Sequence, residues 1–286
     1  MDKNLQNPNL VYTIEGDTYR LHHRPNYAHI VINNDYKGVA VVDPLSNVTV
    51  AERNFPEGYS SSGVIDHWLF SADGSKLLAV CEDDRSIALI DLIDSQGSSL
   101  VEYPPVDISI NTAYIWNETL IFASGMVSQY FALEKQKDTF TFTEKRSIDI
   151  RLQYPGWRRA VDQVYSNKWS LGRIDSNLST LWYYDSHSSP SALGMLNWNT
   201  NNRFSVAIDG NVPRFASDWN HLFALQEHLL RVFDTKGNLV SRLEPAKDFS
   251  FFDVDIVPYN GQHILTLLST SIRENVAQLL VYVFST

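Results

Sequence analysis

Short apolar runs closed by polar turn chemistry recur along the whole chain. The clearest example spans residues 68–92, WLFSADGSKLLAVCEDDRSIALIDL. Residues 77–80 and 87–92 are rich in side chains that suit strands, and Asp73-Gly74 and the polar 82–86 supply the turns that bound them. Glycine reaches positive φ without a Cβ clash, so an Asp-Gly pair between apolar runs reads as a tight hairpin. The pattern predicts an antiparallel meander.

The run ending in Asp91 recurs: GVAVVD ends at Asp43, SIALID at Asp91, SQYFALE at Glu134, TLWYYD at Asp185, LLRVFD at Asp234 and LLVYVFS at Ser285. These ends lie 43 to 51 residues apart, close to the length of one propeller blade. Each unit has the same parts: a strand, a turn, a second strand, a polar loop, the repeated strand, a turn and a short fourth strand. In the first unit the second to fourth strands are predicted at residues 27–32, 38–42 and 48–52. In the fifth they fall at 221–225, 229–233 and 239–243, with Lys236-Gly237-Asn238 as the hairpin turn. The last unit has strands at 252–257, 263–268 and 278–284 and lacks a fourth. Residues 10–14, strand-like and otherwise unpartnered, are predicted to pair with the C-terminal strand and close the ring, removing an edge open to aggregation. Residues 131–137 would also suit a helix, but alternation in the flanks and their place in the repeat favour strands.

Residues 70–91 resemble the WD-repeat propellers. Phe70-Ser-Ala-Asp-Gly-Ser-Lys-Leu-Leu-Ala79 is similar to the inner hairpin of that family, and Asp84 to Asp91 to its third strand, with Ile90 where Trp usually stands. The other units match in pattern alone, and no Gly-His pair precedes the first strand of any unit. The resemblance implies a propeller that binds other molecules through its faces and channel, usually without catalysis. The expected fold is all-β: a six-bladed β-propeller of four-stranded antiparallel blades, one domain over residues 1–286, its ring closed by the N-terminal strand.

Composition narrows the function. Hydrophobic residues make up 44% of the 286 and charged ones 20%, as in ordinary globular domains. A net charge of -10 repels phosphate backbones, which argues against nucleic acid and for a basic partner. Cys81 is the only cysteine, so no intrachain disulfide forms and a reducing compartment fits. The polar first residues and the absence of a long apolar segment predict a cytoplasmic protein away from membranes.

For chemistry, the loops are the source. Loops joining second to third strands share one face with the connections between blades, and on that face we place a partner-binding set of Tyr59, Tyr154, Trp157, Arg158, Arg159, Trp198, Arg203 and Glu227. Aromatic residues and arginine beside carboxylates are what protein-binding hot spots are made of. The long QYPGWRRA connection, residues 153–160, is the sharpest member, because connections between blades need few residues. No metal or cofactor is expected: His22 and His23 would point to opposite strand faces, and HxxxH and CxxC spacings are missing. Six-bladed propellers also serve as glycosidases, sialidases and lactonases, with acids at the channel mouth. Asp66, Asp107, Asp162, Asp209 and Asp253, with Arg214, are the candidates for that reading. No GxSxG elbow is present. The sequence thus points to a non-enzymatic, monomeric, protein-binding propeller of the inhibitor or immunity type. A scaffold subunit and a hydrolase are the alternatives.

Overall fold

The computed structural model describes residues 5, 7–16, 18, 20–24, 27–34, 37–56, 67–70, 74–81, 86–93, 99–102, 112–116, 119–124, 127–136, 139–148, 170–174, 180–185, 187–197, 200–208, 214–218, 220–226, 228–271 and 273–285. These residues form six four-stranded antiparallel sheets, and no helix occurs among them. They fall into two compact units, Met1–Phe55 with Gly210–Thr286, and Pro56–Asp209.

The first unit holds three sheets. One is built from β2 (Leu21–His23), β3 (Ile30–Asn34), β4 (Gly38–Asp43) and β5 (Val48–Asn54), another from β18 (Arg214–Ser217), β19 (His221–Gln226), β20 (Leu229–Asp234) and β21 (Leu239–Leu243). The third is formed by β22 (Ser250–Tyr259), β23 (Gln262–Ser271), β24 (Val276–Ser285) and β1 (Leu10–Glu15), in the order β1-β24-β23-β22. The strands predicted in the first, fifth and last repeat units are all present. β1 pairs with β24 from Leu10 opposite Val281 to Glu15 opposite Val276, as its unpartnered position in the sequence predicts.

Burial explains why the middle strands read as unbroken apolar runs. β3 and β4 are covered on both faces, and β23 is buried from His263 to Ser269. One face of the β22–β24 sheet, with Val254, Leu265, Leu267 and Tyr282, packs on Phe223, Leu225, Leu230 and Val232 of the β18–β21 sheet. Its other face, with Leu268, Ala277 and Leu279, packs on Leu21, Ile30, Ile32, Ala40 and Val42. Each fully buried leucine contributes roughly 1.5–3 kcal/mol. The outer strands β1 and β5 instead alternate, with burial patterns ieieie and eieieie, and so carry the period-two signal of a half-exposed strand. At the opposite edge, the first strand β22 lies beside both β18 and β2.

Within Pro56–Asp209 the sheets are β6 (His67–Phe70) to β9 (Ser99–Glu102), β10 (Thr112–Trp116) to β13 (Thr139–Ile148), and β14 (Ser170–Ile174) to β17 (Asn202–Ile208). β7 is Lys76–Cys81, β8 Ser86–Asp91, β11 Thr119–Ser124, β12 Val127–Gln136, β15 Thr180–Asp185 and β16 Ser191–Asn197. The first strand β10 lies beside β6 and β14. β12 shows that residues 131–136 are strand.

One expectation is corrected. TLWYYD, read as the third strand of its unit, is β15, the second strand of its sheet. The cause is turn chemistry. At every repeat end that closes in aspartate, the carboxylate accepts the amide two residues on: Leu45 to Asp43 at 2.9 Å, Ile93 to Asp91 at 2.9 Å, His187 to Asp185 at 3.0 Å and Lys236 to Asp234 at 2.8 Å. Such Asx turns hold a tight reversal after any strand. Three of these close third strands and Asp185 closes a second one. The motif therefore marks a turn at a strand end, without saying which strand it ends. Gly237, at φ 84°, completes the predicted Lys236-Gly237-Asn238 turn, a conformation that glycine adopts at least cost.

Leu267→Ala, which empties space between β22–β24 and β18–β21, should lower the unfolding free energy by about 2–5 kcal/mol. Val50→Ala on the exposed face of β5 should change it by no more than about 0.5 kcal/mol. Denaturant titration of the two variants measures the contrast.

Candidate functional site

β2 is the first strand of its sheet, so one row of its amides has no strand to bond to. Asp253 and Asp255, two apart on β22 and therefore on one side of that strand, meet this row. Leu21 donates to Asp253 Oδ2 at 3.2 Å and His23 to Asp255 Oδ2 at 2.9 Å. The remaining oxygens accept the next amides along β22, Val254 to Asp253 Oδ1 at 2.9 Å and Ile256 to Asp255 Oδ1 at 2.8 Å. Two buried carboxylates thus serve as rungs between the edges of neighbouring sheets. The register of β22 shifts between Phe251 and Asp253; a bulge of this kind re-aims side chains, leaving Phe252 half exposed while Asp253 is buried.

Arg214, on β18, stands beside Asp253, Nε to Oδ1 at 3.6 Å, so the structure brings together the acid and the arginine paired in the hydrolase reading. Burial pushes the Asp253 carboxyl up to about 6, and the neighbouring Asp255 charge adds to this; Arg214 and the amides of Leu21 and Val254 pull the other way. A group titrating there could exchange protons, but each oxygen is already held by a backbone amide, and its chemistry is that of a fastener. Asp66, Asp107, Asp162 and Asp209 lie outside the described residues. Asp255 escaped the sequence reading. Its signal was present in Phe252-Asp253-Val254-Asp255, where acids alternate inside an otherwise apolar strand.

The connection from β2 to β3 closes on itself. The Arg24 guanidinium lies 3.7 Å from the Tyr27 ring centroid, and the Tyr27 and His29 rings stack at 5.4 Å. Burial, and then the Arg24 charge, hold His29 below the usual imidazole range, against the pull of Asp43. Both rings and the buried Arg24 serve the turn.

Of the predicted partner-binding set, Tyr59, Tyr154, Trp157, Arg158, Arg159, Trp198 and Glu227 lie outside the described residues. Arg203 is exposed near the start of β17, where its Nε donates to the Tyr183 hydroxyl at 3.1 Å. Tyr183 is fully buried and its ring lies over Gly194, where any Cβ would collide with it. The arginine is thus braced by a fixed tyrosine. Asn202 pairs with Asn197, which pairs with Thr180, whereas Ser170 pairs with Tyr184. Arg203 therefore stands at the end of this sheet opposite to the one where the chain enters β14. Among the described residues no cluster of three His, Cys, Asp or Glu side chains could hold a metal ion.

No family model matches the chain. A 124-residue stretch is 27% identical to the ribosome-inactivating protein cucurmosin of Cucurbita moschata, covering 42% of this chain and 48% of that protein. The chain thus spans about half the length of this curated relative, and the likeness shows no family. Solved structures are more informative. The Cps50 (Swd1) beta-propeller domain of Myceliophteria thermophila superposes over 98% of this chain and 99% of its own with a TM-score of 0.58 at 12% identity. This chain has the fold of the WD-repeat-like β-propellers. Hsv2 of Kluyvelomyces marxianus follows at a TM-score of 0.52 and 8% identity, over 93% of this chain and 97% of that one. Hydrazine synthase of Kuenenia stuttgartiensis matches at 0.55 and 11% over 99% of both chains. An enzyme's name among the propeller neighbours shows that the fold by itself does not decide between binding and catalysis.

A raised carboxyl contributes stability at low pH that is lost as pH climbs. For Asp253 the contribution is whole below about 3.8 and gone above about 6. Asp253→Asn should therefore gain on the natural protein by on the order of 2–3 kcal/mol between pH 3.5 and pH 7.5. Urea unfolding of both proteins across that range tests it; a difference that stays constant with pH would refute the assignment.

Proposed function

We propose that this propeller works by binding another protein and carries out no chemistry of its own. In this reading residues 1–286 are one domain of six blades, its ring closed by the β1–β24 pairing, acting in the cytoplasm as a monomer. The observation that carries the reading is the use made of Asp253 and Asp255. A six-bladed hydrolase needs acids at the first strands with oxygens turned to substrate, and here both carboxylates give every oxygen to a backbone amide. The likeness to the Swd1 propeller domain is one of architecture, so the binding reading rests on these two acids and on the loops.

The narrower proposal is an inhibitor or immunity-type protein. A net charge of -10 would draw a basic target and speed its capture. The contact surface is proposed to centre on Trp157, with Tyr154, Arg158 and Arg159 beside it in sequence and Tyr59 and Glu227 from other loops. Arg203, at the other end of its own sheet, is left out of that centre.

The test is purification from the native cell. An inhibitor emerges in a one-to-one complex with an enzyme whose activity it abolishes, whereas a scaffold emerges joined to two partners at once. Replacing Trp157 and Arg158 by alanine should cost about 2 kcal/mol, a roughly 30-fold loss of affinity by titration calorimetry. Unchanged affinity would remove Trp157 from the interface, and turnover of a glycan or lactone, lost in Asp253→Asn, would replace this reading with the hydrolase.

A further inference from the structure

We infer that Asp218, His221 and His263 form a pH-responsive latch between two neighbouring sheets. Asp218 follows β18 at the tight turn into β19, and its carboxylate is fully buried. Oδ1 accepts the amides of Asn220 at 3.0 Å and His221 at 2.6 Å, and Ser217 Oγ donates to the His221 carbonyl at 2.7 Å. This fixes the carboxylate between two imidazoles. His221 Nδ1 lies 3.4 Å from Oδ1, and His263 Nδ1, at the start of β23 in the next sheet, lies 3.9 Å from Oδ2. The rings pack against Phe223 and Phe284 at centroid distances of 6.3 and 5.8 Å and keep 15% and 10% of their side-chain surface.

The surrounding groups set the sign. Asp234 on β20 stands opposite His221, its carboxylate accepting the amides of Lys236 and Asn238. His263 has Pro258 of β22 and Phe284 of β24 on either side. Tyr282 on β24 stays neutral in the imidazole range, because burial pushes its hydroxyl up to about 12. Among the described residues these pairings place one carboxylate, Asp234, opposite His221, with the Lys236 charge beside that acid, and Pro258 and Phe284 beside His263. A carboxylate within 4 Å favours the imidazolium, against the burial of rings that keep only 15% and 10% of their side-chain surface. Protonation then turns a polar contact into an ion pair across the two sheets. Because both rings share Asp218, they titrate as a pair and the first proton is the favoured one.

The stability this adds is full below about 6.5, the ordinary imidazole value, and is lost as pH rises through the raised midpoint. NMR titration of the ring Cε1 protons, assigned with His221→Gln and His263→Gln, reads the midpoints directly. The first step should lie above about 6.5 and fall by about one unit, a tenfold loss of proton affinity, in Asp218→Asn. The melting temperature of the natural protein should also exceed that of His263→Gln by a margin at least about 2 °C wider at pH 5.5 than at pH 8. Should Asp218→Asn fail to fold, the natural midpoints and the His263→Gln comparison decide. Both rings titrating at or below about 6.5, or a margin that does not widen, overturns the latch.

Discussion

The amides of a first strand that face away from their own sheet need acceptors, and in the unit containing both chain ends they find them in side chains of the next sheet. Asp253 and Asp255 take the amides of Leu21 and His23. An unpaired buried amide costs on the order of 1–3 kcal/mol, so the pairing decides whether β2, only three residues long, can remain a strand. From β2 the chain turns into β3 and β4, whose apolar side chains cover one face of the C-terminal sheet. Removing the acceptors would therefore undermine a short edge strand and the packing that follows it. The price is a carboxyl held buried against its preference for water, visible in its raised titration.

How much of this was legible in the sequence follows from the range of each interaction. The fifth unit could be placed strand by strand because its turns are local: Asp234, Gly237 and Asn238 hold one another within five residues. β1 was legible from arithmetic, since the last unit was short by one strand and the first residues had one to spare. The fourth unit slipped because Asp185 makes the same local turn after a second strand as Asp43, Asp91 and Asp234 make after third ones. No local signal separates the two. The meeting of Asp218 with His263, or of Arg214 with Asp253, was harder to see, because each joins residues from different sheets that share no spacing rule. Arg214 and Asp253 were both named as candidates, but the distance between them and the amides that occupy the acid belong to the fold alone.

The same division explains how the fold persists at 12% identity to the Swd1 domain. Strands buried on both faces accept any apolar residue of suitable volume, and Asx turns need only one acid at a strand end. Neither requirement constrains the loop side chains. These are where a partner would be recognised, so likeness of fold transmits little about what is bound.

β1 has a mechanical corollary. It runs antiparallel to β24, with Leu10 opposite Val281 and Glu15 opposite Val276, so the outward course of the chain before Leu10 and that beyond Val281 leave from one end of a shared ladder. Tension applied to both termini would load the β1–β24 bonds one pair at a time, as a zipper opens, and not all together in shear. The first pairs to carry it are the Asn9 amide on the Val281 carbonyl and the Val283 amide on Asn9 Oδ1, each at 2.7 Å. The join between first and last strands is thus strong against shear along the strands and weak to peeling, and any tether on the two ends would pull along its weak direction.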